Sequence, residues 1–142
     1  MVYAQSGKIE VLDLDPAKRQ PELLQQICFI PEEFHLPAIK VDSYVKANSA
    51  FYPEFNHQYF ADLLKEFDIP VGQKLIDMSY GQKKKVIISF GLATNAKLVI
   101  MDEPTNGLDI PSKAQFRKIM ASALTEDKCI IISTHQVRDW II

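Results

Sequence analysis

The chain has 142 residues, 47% of them apolar and 24% charged, enough for one domain with a real core and ordinary for a globular protein. A formal net charge of −2 gives no electrostatic reason to expect a nucleic-acid or acidic-membrane partner, since phosphate neutralisation requires a concentrated basic face. No apolar run approaches the roughly 18 residues that span a bilayer, and the first residues lack a charged segment leading into an apolar one, so any membrane role is expected to run through a partner.

In chain order, residues 8–13 alternate polar and apolar as a half-exposed strand does, and Asp15-Pro16 ends the pattern. Residues 21–26 read as a short helix. Three later runs, 27–30, 98–101 and 129–132, are short, continuously apolar and rich in β-branched residues, which predicts strands buried on both faces. Helical patterns separate them, and that alternation predicts a parallel sheet with right-handed crossovers. Cys28 and Cys129 lie inside two of these runs, far from any metal or CxxC spacing, and are read as buried reduced thiols.

Between the first and second runs the texture changes. Residues 41–51, 56–67 and 80–94 carry apolar positions at helical spacing, with Tyr59, Phe60, Leu63, Leu64 and Phe67 on one packing face and Pro53, Pro70 and Gly72 as punctuation. This predicts a helical subdomain, 38–94, inserted into an α/β layer formed by 1–37 and 95–142. No internal repeat, low-complexity tract or heptad is present.

Three short motifs carry chemistry. A strand ending in Asp102-Glu103 places two carboxylates at the carboxyl edge of a parallel sheet, where α/β proteins bind ligands. In phosphoryl transfer the first holds Mg²⁺, usually through water, and the second polarises an attacking water. Met78-Ser79-Tyr80-Gly81-Gln82 runs into an apolar helix, with Ser79 near the N-cap, backbone amides around Gly81 and Lys83, Lys84 and Lys85 in the first turns, which together make an anion site. Ser133-Thr134-His135 follows the third apolar run, so His135 also falls at the sheet's carboxyl edge, placed to donate to a phosphate oxygen. Each has a plainer reading when taken alone: a surface loop for the first, and a capped helix with a solvated lysine face for the second. His35 and His57 have no comparable placement.

In order and spacing these motifs resemble the ATP-binding domain of ABC (ATP-binding cassette) proteins. Residues 78–82 resemble the signature L-S-G-G-Q, residues 98–103 the Walker B strand, Asn106-Gly107-Leu108-Asp109 the D-loop, His135 the switch histidine, and Phe29-Ile30-Pro31-Glu32-Glu33 the Q-loop. The resemblance implies an α/β fold of the P-loop NTPase type, mostly parallel, with an inserted helical subdomain. It implies ATP and Mg²⁺ as cofactors, Asp102 as the Mg²⁺ organiser, Glu103 as catalytic base and His135 at the γ-phosphate. Ser79, Gly81 and Gln82 would serve a nucleotide held by a second ATP-binding domain in a head-to-tail homodimer, with Asp109 coupling the two sites. A separate transmembrane subunit would then hold the protein at the cytoplasmic face of a membrane, and no nucleic acid would be bound directly.

Three departures accompany the resemblance. Glu32 stands at the Q-loop glutamine position, keeping an oxygen for metal or water but adding charge. Tyr80 replaces the third signature residue, usually glycine, and its ring either packs near the neighbouring subunit or points away. No phosphate loop of the form G-x-x-x-x-G-K-S/T occurs, and both Met1-Val2-Tyr3-Ala4-Gln5 and Trp140-Ile141-Ile142 stop short of the family's extent. These 142 residues alone are therefore expected to bind ATP weakly, to hydrolyse it negligibly and, with a sheet edge and part of an apolar face uncovered, to be oligomeric, domain-swapped or poorly stable. A transporter ATPase is the leading reading. The alternatives are an ABC ATPase acting on nucleic acid or ribosomes, although the short interval between Glu32 and Ser79 holds no coiled coil, and a non-catalytic regulatory fragment that supplies Ser79 and Gly81 in trans.

Overall fold

Short β-branched runs separated by amphipathic helices can bury their apolar atoms only as a layered α/β structure, and this is the architecture found. The computed structural model describes residues 6–70 and 72–135. The expectations placed on residues 1–5 and 140–142 lie outside them. In chain order the elements are α1 (Pro21–Leu24), β1 (Ile27–Ile30), α2 (Val41–Asn48), α3 (His57–Glu66), α4 (Tyr80–Ala93), β2 (Leu98–Asp102), α5 (Ile110–Ala123) and β3 (Cys129–Ser133). The strands form one parallel sheet in the order β1-β2-β3.

The register sorts the strands by face. Cys28 and Ile30 lie beside Val99 and Met101, all buried, and Val99 and Met101 lie beside the partly buried Ile130 and Ile132. The intervening positions form rows on the other face, Ile27–Leu98–Cys129 and Phe29–Ile100–Ile131, and there Phe29 is 59% and Ile131 50% exposed. The expectation of strands buried on both faces is thus corrected among the described residues. One face is packed and the other is open, and period two places Cys129 on the open one. Cys28 is buried as expected, and burial pushes its thiol up to about 11.

Helix α4 packs directly on the sheet. From Val86 to Ala93 every residue is buried, which a helix achieves only when enclosed on several sides. Gly91 makes the close approach possible, since a Cβ there would lie 2.5 Å from Ile30 Cδ1 and 3.3 Å from Cys28 Sγ. On its other side α4 meets α3, which Asn56 caps by accepting from the Tyr59 amide (2.9 Å) while its own amide donates to the Ala93 carbonyl (2.8 Å). Tyr44, Tyr52 and Phe55 surround Phe90 with ring centroids 5.1–6.0 Å away. The stripe predicted on α3 is packing: Phe60, Leu63, Leu64 and Phe67 are buried and Tyr59 is partly so. Asp68, in the left-handed region at φ 54°, turns the chain away after Phe67.

Two further expectations are corrected. Residues 8–13 form no strand. Leu12 and Asp13 both adopt left-handed φ (52° and 61°), and Val11 and Leu14 exchange backbone hydrogen bonds of 2.9 and 3.0 Å, so the alternating pattern belongs to a tight turn. The lysine run, expected to lend positive charge to an anion site and more plainly readable as a solvated face, instead directs its ammonium groups to main-chain carbonyls. Lys83 donates to the Ile76 carbonyl (3.1 Å), Lys84 to Glu32 and Pro31, and Lys85 to Phe67 (3.3 Å), so each ties a different segment to the head of α4. No helix among the described residues is long and apolar enough to cross a membrane.

Candidate functional site

The carboxyl edge of the sheet collects the paired carboxylates. Asp102 is the last residue of β2 and lies in register with Ser133, whose hydroxyl donates to Asp102 Oδ1. Glu103 follows with a left-handed φ of 42°, a conformation that costs a non-glycine residue about 1–2 kcal/mol. Its surroundings hold it there. The Glu103 amide donates to the Ser133 carbonyl (2.9 Å), and its own carbonyl accepts from the Asn106 amide (3.1 Å), which closes a turn.

That turn folds the Glu103 side chain back over the end of β3. Its Oε2 accepts from the Thr134 hydroxyl (3.0 Å), and its Oε1 accepts from both the His135 amide (2.6 Å) and His135 Nδ1 (2.7 Å). A carboxylate can only accept, so Nδ1 carries the proton and Nε2 is left at the outer side of the ring. The His135 side chain is 70% exposed, whereas Glu103 is buried. Burial pulls the Glu103 carboxyl upward, but the His135 amide, the His135 ring and the Thr134 hydroxyl outweigh it and hold the group below the usual carboxylate range. Glu103 is thus an ionised, oriented carboxylate beside an exposed imidazole.

The signature residues stand apart from this cluster. The Ser79 amide donates to Gln82 Oε1 (2.9 Å) and the Gln82 amide to Ser79 Oγ (3.2 Å), a reciprocal capping box. Tyr80 and Gly81, as the first two residues of α4, have amides that precede any carbonyl four residues back within the helix. Gly81 lies against the D-loop: a Cβ on it would be 3.2 Å from the Gly107 carbonyl oxygen. Asp109 ends that loop as the N-cap of α5, accepting from the Ser112 amide at 2.9 Å. The hydrogen bonds from the Ser112 hydroxyl and amide hold the Asp109 carboxyl below its ordinary 3.8.

Glu32 is not free-standing. Its Oε1 accepts from Asn106 Nδ2 (2.7 Å) and its main-chain carbonyl from Tyr80 Oη (2.7 Å) and Lys84 Nζ (3.1 Å). The Tyr80 ring, left open between two orientations by sequence, packs within the chain on Phe34 and Gly107. Lys84, Asn106 and Thr134 stood inside motifs that sequence reading named, but the contacts they make escaped it. Thr134 had a signal, since it stands between two residues already singled out at a strand end. The pairing of Lys84 and Asn106 with Glu32 had none, because Glu32 lies more than fifty residues away from each.

Among the described residues no three His, Cys, Asp or Glu side chains converge as a metal cage. A pair of hard oxygen donors at a strand end suits Mg²⁺, which takes one or two carboxylates and completes its shell with water and phosphate oxygens. Asp102 fits that role.

Solved structures share the architecture. An ATP-binding subunit of an ABC transporter superposes with a TM-score of 0.82 at 23% identity, covering 94% of this chain and 58% of that one. An ABC transporter ATP-binding protein from Pyrococcus furiosus gives 0.77 at 27% identity, covering 93% and 66%. Fold and strand-edge carboxylates thus define an α/β protein of the P-loop NTPase class. The ABC transporter family model matches residues 1–106, and the chain belongs to that family of ATP-binding proteins. It is 27% identical over 141 residues to the ABC transporter ATP-binding protein YtrB of Bacillus subtilis, covering 98% of this chain and 48% of that protein. It is also 36% identical over 86 residues to the energy-coupling factor transporter ATP-binding protein EcfA2 of Staphylococcus aureus, covering 60% and 30%. The chain therefore spans about half, or less, of the length of these relatives.

Proposed function

We propose that this chain is the ATP-hydrolysing part of a transporter's ATPase subunit, with Glu103 as the general base. The observation that carries the reading is the Glu103 carboxylate, held ionised by Thr134 and His135 at the carboxyl edge of a parallel sheet, one residue beyond Asp102. Three donors fix its direction, the preorganisation that a positioned base requires. His135 serves twice: Nδ1–H orients Glu103, and the ring, 70% exposed, is free to contact the γ-phosphate. Asp102, steadied by Ser133, organises Mg²⁺, which when bound would neutralise charge on the phosphate oxygens.

In this reading Ser79, Gly81 and Gln82 serve the nucleotide of a second ATP-binding domain in a head-to-tail dimer, and Asp109 lies at the junction. Exposure of Ser79 at the head of α4 supports that arrangement. Residues 1–37 and 95–142 act as ATPase core and 38–94 as helical subdomain, with a transmembrane partner holding the protein at the cytoplasmic side of the membrane. Names of relatives that are transporter ATP-binding proteins support the transport assignment. These 142 residues carry no phosphate loop, so on their own they bind Mg-ATP weakly and turn it over negligibly.

The test is Glu103→Gln in the full protein. Hydrolysis should fall by a factor of about 10²–10⁴, the usual contribution of a positioned base, while Mg-ATP binding persists. Unchanged turnover would remove Glu103 from the role of base.

A further inference from the structure

Tyr80 and Lys84 stand one turn apart on the same face of α4 and converge on a single acceptor, the main-chain carbonyl of Glu32, at 2.7 and 3.1 Å. Lys84 also reaches the Pro31 carbonyl at 3.4 Å. Phe34 fills the space beside them, its ring stacked on Tyr80 (centroids 5.3 Å apart, planes at 17°) and facing the Lys84 ammonium at 5.6 Å. Gly107 meets the Tyr80 ring so closely that a Cβ there would lie 2.6 Å from two ring carbons.

The next contacts close a circuit. Asn106, adjacent to Gly107, donates its side-chain amide to Glu32 Oε1 at 2.7 Å and its backbone amide to the Glu103 carbonyl at 3.1 Å. Three segments distant in sequence, 31–34, the head of α4 and 103–107, therefore hold one another by side chains of polar or aromatic type. Lys84 is the unusual member: it is fully buried, and its hydrogen bonds go to main-chain carbonyls. A buried ammonium is costly to keep, and a packing role alone would be served by an apolar side chain of the same length.

We propose that Tyr80 and Lys84 are positioning residues that lock segment 31–34, the head of α4 and loop 103–107 into one body, so that displacement of 31–34 is passed through Asn106 to the turn that aims Glu103. Tyrosine at the third signature position is then a functional substitution, since its ring and hydroxyl supply two of the links. The consequence for hydrolysis rests on Glu103 being the base. The lock itself does not.

Hydrogen exchange on the 142-residue chain tests the lock directly. Tyr80→Phe removes one oxygen and keeps the ring, and it should accelerate exchange at the Asn106 amide, which donates to the Glu103 carbonyl, by a few-fold to about tenfold, as loss of one net hydrogen bond implies. Glu32→Ala should do the same, whereas Glu32→Gln, which keeps an acceptor for Asn106, should restore wild-type rates. An Asn106 amide whose exchange is unchanged in both variants would mean local packing only and overturn the proposal. If Lys84→Met fails to fold, the Tyr80 and Glu32 variants still decide it. In the full protein Tyr80→Phe should lower kcat for Mg-ATP with KM unchanged, and a change in KM alone counts against the lock. A wild-type protein without hydrolysis would overturn the ATPase reading instead, leaving the exchange result to judge the lock.

Discussion

Asp109 ends the loop that starts at Glu103, and its carboxylate is both the cap of α5 and a charged group whose affinity for protons folding has changed. The Ser112 hydroxyl and amide favour its ionised form, so its folded pKa lies below the ordinary 3.8. A carboxyl depressed on folding stabilises the native state above its unfolded pKa and loses that contribution as pH falls through the folded value. Asp109→Asn keeps a capping oxygen but does not titrate. We therefore expect wild type to melt above Asp109→Asn at neutral pH and the gap to close as pH is lowered below 3.8, measured by paired thermal melts. A gap independent of pH across that range would show that the cap's ionisation is irrelevant. At this scale, sequence reading placed Glu103 and His135 at one sheet edge because each follows an apolar run. It named Asn106 and Lys84 only as members of their motifs and could not find their contacts with Glu32, which depend on which loop the register brings beside them. The Tyr80 ring was equally undetermined, since the space that receives it exists only because Gly107 lacks a side chain.

Helix α4 connects the scales, for its first turn carries the signature residues and its last turns are pressed against β1. Gly91 sets that contact, and no other residue can occupy the position without moving Ile30 or Cys28. Gly91→Ala should destabilise the chain by about 1–3 kcal/mol through overpacking, outweighing the better helix propensity of alanine. Ile30→Val removes the atom nearest the new methyl, so the double variant should recover part of the loss in chemical denaturation. Simple addition of the two effects would place the strain elsewhere. The three strands were readable from composition because β-branched apolar runs of four or five residues have few other uses, and β1 falls where the pattern put it. The N-terminal alternation misled for a physical reason: two consecutive left-handed residues, Leu12 and Asp13, make a turn from a sequence that looks like a strand. Neither is glycine, and Asp13, which tolerates this conformation, was the one turn signal in the pair.

At the scale of the molecule, the sheet has, among the described residues, a packed side and an open one. Phe29, Ile100 and Ile131 sit side by side in register across the three strands, and the outer two are at least half exposed. Periodicity alone could not show this, because an apolar run reads the same whether one face or both are covered. Fully burying a side chain of this size contributes about 1.5–3 kcal/mol, so a second molecule covering the row would gain substantially. We expect the 142-residue chain to self-associate through this face. A charge at its edge should oppose that: Ile131→Lys should weaken association on the order of 10–100-fold, the factor equivalent to one such side chain. Sedimentation velocity over a concentration series would compare the two. Association through the backbone edges of β1 or β3 would leave the variant and the wild type alike, and a wild type that stays monomeric at all concentrations would dispose of the open face as an interface between copies of this chain.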